Sequence, residues 1–157
     1  MFALTNESLF LLLNSFIIFI NQVDPKSHEK YESLSLFLDN ISMFFHLSNN
    51  EFDNNNYPAI TRNNYEDKRA IINKNFSELG LYNEVDTLTT NISSCKINVG
   101  DSADDLTDLY LDMEEVIFRR EKNSVLDAIW QFKFYATSHT KNHLRYLQLY
   151  IDHMNIK

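Results

Sequence analysis

From Asp101 to its last residue the chain contains neither glycine nor proline, and all 157 residues hold only two of each. A β-rich fold needs turn residues every few positions, so this scarcity predicts long helices with few breaks. Hydrophobic residues at 44% against 23% charged are enough for one globular core over 1–157, with little room for a second. The expected class is all-α: a single helical bundle of about five helices.

The stretch DSADDLTDLYLDMEEVIFRR, Asp101 to Arg120, carries the densest helix signals. Ser102 is a candidate cap, with Asp105 placed to reach back in a capping box. Acids crowd the first turn and Arg119 and Arg120 close the last, as the helix dipole favours. At a hundred degrees per residue Leu106, Leu109, Tyr110, Met113, Val116 and Ile117 make one apolar stripe. Asp104, Asp105, Asp108, Asp112 and Glu115 fall on the other side, either as a solvated face or as acids neutralised by a partner.

Elsewhere Thr5 is placed to cap a helix to about Val23, hydrophobic almost all round and so expected at the centre of the bundle. Asp24-Pro25 predicts a stop and an immediate restart, giving a second helix to about Ser48 with Tyr31, Leu34, Ile41 and Phe44 in its stripe. A polar connection, 49–61, precedes a third helix capped by Thr61 and ending at Gly80, along which Tyr65, Arg69, Ile72 and Phe76 recur. Leu81 to Gly100 lacks helical period and has several β-branched residues. It predicts a long irregular connection before the acidic helix, with room for one short strand. A final helix, capped by Asn123, runs to about Met154 and is long enough to bend or break.

On that last helix Ala128, Phe132, Tyr135, Ala136, His139, His143, Tyr146, Leu147 and Tyr150 share one face, expected to look inward. Buried imidazoles and phenols need partners, and the aspartates of the acidic helix, Asp105 and Asp112 above all, are the candidates. The residues expected to build a polar core or a ligand site are therefore Asp104, Asp105, Asp108, Tyr110, Asp112, Trp130, His139 and His143. Two histidines one turn apart with two carboxylates can also chelate a divalent metal, with His139, His143, Asp105 and Asp112 as its ligands. The step His139-Thr140-Lys141-Asn142-His143 lacks the glutamate of zinc proteases, and no cofactor motif, phosphate loop or nucleophile elbow is present, so no cofactor and no catalysis are expected. Trp130 and Phe134 lie away from the histidines and are expected in the core.

Lys plus Arg is 14 against 22 Asp plus Glu, a formal net charge of −8, and no basic cluster offers a face to nucleic acid or anionic membrane. The lone Cys95 has no partner for an internal disulfide. Leu9 to Ile20 is apolar but too short to span a bilayer, and Glu7 with no basic flank argues against a signal peptide, so a cytoplasmic protein is expected.

Tyr57-Pro58, the Tyr65 helix, Leu81-Tyr82-x-Glu84-Val85 and Asp104-Asp105-Leu106-Thr107-Asp108-Leu109-Tyr110-x-Asp112-Met113 together resemble the bacterial family catalogued as domain of unknown function 5063. Its members carry a similar acidic D-D-L-x-D-[IL]-Y-x-D-[LM] helix, then a W-x-x-x-F segment, an H-W-G-x-H step and an L-R-x-L end. Trp130 with Phe134, His139 with His143, and Leu144-Arg145-x-Leu147 match these, whereas Thr140-Lys141 stands in place of Trp-Gly. The resemblance covers about Tyr57 to Ile151 and implies an all-helical bacterial cytoplasmic protein, without an activity, substrate or cofactor. The expected function is protein–protein contact, as an adaptor, a regulator or a homo-oligomer. The alternative is a bundle binding a metal or small ligand through His139, His143 and the acids of 104–112.

Overall fold

The computed structural model describes residues 5–47, 51–61, 64–85, 92–94 and 96–155; Cys95, Arg62 and Ser48 lie outside these. The described residues form six helices and one two-stranded ribbon: α1 (Asn6–Gln22), α2 (Lys30–Leu47), α3 (Tyr65–Asn75), β1 (Leu81–Val85), β2 (Ile97–Asp101), α4 (Ser102–Lys122), α5 (Val125–Tyr135) and α6 (His139–Asn155), with a single 3-10 turn at Ile92–Ser94. No described helix is long and apolar enough to cross a membrane.

α1 begins as the sequence predicts. Thr5 accepts from the Ser8 amide at 3.2 Å and Ser8 Oγ accepts from the Thr5 amide at 2.8 Å, a reciprocal cap. It is not the central element, however. Leu9, Phe10, Leu13, Phe16 and Ile20 are buried along one side, while Leu11 and Ile18 are exposed on the other. The restart at Pro25 is also delayed. Asp24 accepts from the amides of Lys26 and Ser27 in a tight turn, so helical bonding resumes only at Lys30. The cap of α3 is Asn64, whose side chain accepts from the Glu66 amide at 3.1 Å, not Thr61. α3 stops at Asn75, well before Gly80; the Phe76 amide closes its last turn on the Ile72 carbonyl at 2.8 Å, and the Asn75 side chain donates to the Ile20 carbonyl at 2.8 Å.

The expected irregular connection is a hairpin. β1 and β2 pair antiparallel with Tyr82 opposite Gly100. A methyl group at position 100 would lie 2.3 Å from the Tyr82 ring, so only glycine lets that ring fold across the neighbouring strand. The strand leads directly into α4, whose cap is Asp101 and not Ser102: Asp101 Oδ1 accepts from the amides of Ala103 and Asp104 at 3.0 and 3.3 Å. Ser102 instead donates from both its amide and its hydroxyl to the Gly80 carbonyl, at 3.1 and 2.7 Å.

α4 is the hub. It packs against α1, α3, α5 and α6 and buries Leu106, Leu109, Tyr110, Met113 and Val116 as its stripe requires. Buried side chains from all six helices join it in one cluster, and each large apolar group so buried contributes ~1.5–3 kcal/mol. The final helix breaks at 136–138. There the Thr137 and Ser138 amides bond only three residues back, to the carbonyls of Phe134 and Tyr135 at 3.0 and 3.2 Å, and their hydroxyls donate to the same carbonyls at 2.9 and 3.1 Å. The cap of α5 is Ser124, which accepts from the Asp127 amide at 3.0 Å, and not Asn123.

Candidate functional site

The acids on α4 meet α6 along one seam. Asp105 is almost fully buried; its Oδ1 lies 2.5 Å from His143 Nδ1, and its Oδ2 accepts from the Tyr82 hydroxyl at 2.5 Å. The opposite edge of the same imidazole, Nε2, faces Asp108 Oδ2 at 3.7 Å. One turn further, fully buried Asp112 accepts from the Thr140 hydroxyl at 2.6 Å. The hydrogen bond to Asp105 raises the His143 pKa above its ordinary value, by stabilising the protonated ring. Burial raises the Asp108 carboxyl, and it raises the Tyr82 phenol, beside an anion, still more strongly. Tyr146 and Tyr150 pack tilted against Tyr82, each with ring centroids 5.8 Å away, and Tyr146 donates to the Val85 carbonyl at 2.7 Å. The ribbon is thereby fastened to the α4–α6 seam.

α3 neutralises the other flank of α4. Arg69 donates to Asp101 at 2.5 Å and to Asp104 at 2.7 Å, and Tyr65 donates to the same Asp104 oxygen. Burial, followed by the carboxylate, pushes the Tyr65 phenol up to about 12. Lys68 reaches the Tyr110 hydroxyl at 3.1 Å and Glu114 at 3.2 Å, while Asn21 of α1 donates to the same hydroxyl at 2.9 Å. Lower on the helix Arg119 bridges Glu115 and both oxygens of Asp127, and Tyr135 donates to Glu115 at 2.8 Å. Among the described residues no buried side-chain nitrogen or oxygen lacks a partner.

The eight residues expected to share a site separate into groups. Asp105, Asp108 and His143 come together. Asp112 serves Thr140, Asp104 serves α3, and Tyr110 points its hydroxyl toward α1 and α3, away from the histidines. His139, expected inside, is exposed, with its ring edge-on to that of His143 at a 5.4 Å centroid distance. The metal quartet His139, His143, Asp105 and Asp112 is therefore not assembled as expected. Among the described residues no three His, Cys, Asp or Glu side chains surround one point. Tyr82, Tyr65 and Arg69 join the network without having been singled out as site residues. The signal that points to the last two is their i, i+4 spacing on a helix opposite an acidic one.

Trp130 and Phe134 are not core. Trp130 is half-buried, stacked on Phe134 (5.9 Å) and met edge-on by Phe52 (5.4 Å), and Phe52 and Phe134 are 62% and 51% exposed. Beside this ladder a groove of about 220 Å³ opens between residues 60–61 and the second half of α4. It is lined by the apolar side chains of Leu111, Ile117, Phe118 and Ile60 together with Glu114, Glu115 and Glu121. Ile60 also lines a second hollow of about 230 Å³ that reaches Trp130. The segment between them is pinned by Asp53, which accepts from Ser124, Tyr57 and Asn55. Compared with family models, with curated proteins and with solved structures, the chain matches none of them.

Proposed function

We propose that the protein works by contact with another protein, as a small cytoplasmic adaptor or regulator akin to the bacterial family it resembles, and that the groove beside α4 receives a partner segment combining apolar and basic side chains. The observation behind this reading is the lining of the groove: exposed Phe118 with Ile117 and Leu111, beside exposed Glu121, while Glu114 and Glu115 in the same lining are paired with Lys68 and Arg119. Such a surface attracts a basic amphipathic segment by charge and holds it by apolar burial. A net charge of −8 adds long-range attraction of the same sign.

The test uses synthetic amphipathic peptides with one apolar face and either a basic or an acidic polar face, followed by the fluorescence of the single Trp130, which lines the adjoining hollow. The basic peptide binds saturably, weakens as salt rises, and is lost in Phe118→Asp and weakened in Glu121→Lys, both with unchanged unfolding midpoints. Equal binding of both peptides, or basic-peptide binding indifferent to Phe118→Asp, refutes it.

A further inference from the structure

We propose that the second hollow, between residues 52–60 and the start of α5, binds a small soluble compound carrying a quaternary ammonium group, held against Phe52, Tyr57 and Trp130 by the charge of Asp53. The proposal does not rest on the docking reading: among the described residues only Ile60 lines both the hollow and the groove.

Three aromatic side chains line this hollow. The rings of Phe52 and Trp130 meet at 77° with centroids 5.4 Å apart, so their planes form a corner. Tyr57 is tied in place by its hydroxyl, which donates to Asp53 Oδ2 at 2.9 Å. Aromatic rings set at an angle around one space offer their electron-rich faces to a cation. The volume, about 230 Å³, is below the ~300–1,000 Å³ of drug-sized sites and suits a compact ion.

Asp53 selects the kind of cation. It is almost fully buried, and its Oδ1 accepts from the Asn55 amide and side-chain nitrogen at 3.0 and 2.7 Å. Its Oδ2 accepts from the hydroxyls of Tyr57 and Ser124. A carboxylate has about four acceptor positions, and here neutral donors take them all. These hydrogen bonds, that of Ser124 first, hold the carboxyl below its ordinary range, so the charge is kept. Among the described residues no lysine, arginine or histidine pairs with Asp53; Arg119, which also lines the hollow, is engaged by Asp127 and Glu115. Asp53 therefore supplies a negative field without a vacant acceptor. A primary ammonium or a guanidinium placed beside it gives up water at its N–H donors and receives no carboxylate bond in return. A quaternary ammonium has no N–H to satisfy, so the field and the aromatic faces suffice to hold it.

Choline is titrated into the full chain at constant ionic strength and followed by calorimetry and by Trp130 fluorescence. Two compounds run in parallel: its uncharged tert-butyl analogue, and ethanolamine, which keeps the charge but carries N–H donors. Choline binds saturably at one equivalent, and each comparison compound binds about tenfold more weakly or less. Phe52→Ala removes an exposed wall, leaves the unfolding midpoint within error of the parent, and weakens choline about threefold or more. Asp53→Asn weakens it about tenfold or more. That substitution also loosens the pinned segment, so its unfolding midpoint is measured as well, and Phe52→Ala decides if the asparagine variant does not fold. Phosphatidylcholine vesicles present the same group on a lipid surface, and the protein does not sediment with them. Absence of saturable choline binding, equal binding of either comparison compound, or full-strength binding in Phe52→Ala or in folded Asp53→Asn overturns the site. Sedimentation with the vesicles that choline reverses overturns the assignment to a soluble compound.

Discussion

Replacing Asp105 with alanine removes one side chain from three elements at once. Its two oxygens accept from Tyr82 on β1 and contact His143 on α6, and it stands on α4 with little exposure. A hydrogen bond to a charged group contributes ~1.5–3 kcal/mol, so the gross loss is ~3–6 kcal/mol. Two offsets reduce it. The buried carboxylate no longer has to be desolvated, and both orphaned partners are half-buried, so water can reach them after small movements. A net loss of ~2–4 kcal/mol remains, a large share of the stability of a domain of this size. The measurement is urea unfolding by far-ultraviolet circular dichroism, with Tyr82→Phe, His143→Ala and the two double variants completing the cycles. Coupling energies of ~0.5–3 kcal/mol are expected in both cycles because the residues touch. A loss under ~1 kcal/mol for Asp105→Ala, or strict additivity in both cycles, would show that the seam is not held by this carboxylate and would refute the reasoning.

Gly100→Ala should act on the same node from the opposite strand: the new methyl meets the Tyr82 ring at 2.3 Å, and the cost of ~1–3 kcal/mol should shrink when Tyr82 is truncated to alanine. Thr140→Val, nearly equal in volume, withdraws a donor from fully buried Asp112 and should cost ~1–3 kcal/mol in the same urea assay. Glu78 gives a pH test. The Lys30 ammonium beside it lowers its carboxyl from 4.5 to about 2, and a depressed folded pKa contributes stability above pH 4.5 that is lost as pH falls toward about 2. Glu78→Gln should flatten the thermal stability profile in that window and leave it parallel to the parent near neutrality; an unchanged slope would contradict the pairing. Because Glu78 is half exposed, the effect should be small and should shrink further in salt.

The helices were legible wherever apolar spacing and capping agree locally, as at Thr5 and along Leu106, Leu109, Tyr110, Met113 and Val116. What was not legible depends on partners distant in sequence. Ser102 has the right type and place for a cap, yet its hydroxyl is drawn off by the Gly80 carbonyl and Asp101 caps instead. The hairpin was hidden because its two strands have no sustained alternating apolar pattern and no turn signature between them, and the fit of Tyr82 over Gly100 is a cross-strand contact that spacing does not reveal. The acids of α4 look like a solvated face when read alone. They become a hub only because Tyr65, Lys68 and Arg69 on α3, and Thr140 and His143 on α6, arrive with the complementary chemistry.

The placement of the two histidines follows from the break at 136–138. A helix continuing unbroken from Tyr135 would carry the stripe Phe132, Tyr135, Ala136 onto His139 and His143 and bury both. Once the amides and hydroxyls of Thr137 and Ser138 close together on the carbonyls of Phe134 and Tyr135, the phase is reset and α6 buries Thr140, Leu144, Leu147 and Ile151, one position later. One position is about a hundred degrees of rotation. His139, His143, Tyr146 and Tyr150 are thereby moved from the centre of the stripe to its flank. There His143 still reaches buried Asp105 with one nitrogen while the other opens toward Asp108 and solvent, and His139 is released altogether. The tight turn at Thr137 and Ser138 thus presents this pair of imidazoles at the edge of the core instead of sealing it inside. Replacing both with alanine, which favours a continuous helix, should draw His139 inward and lower its accessibility to chemical modification by diethyl pyrocarbonate. An unchanged rate of modification would show that the break is imposed by packing elsewhere.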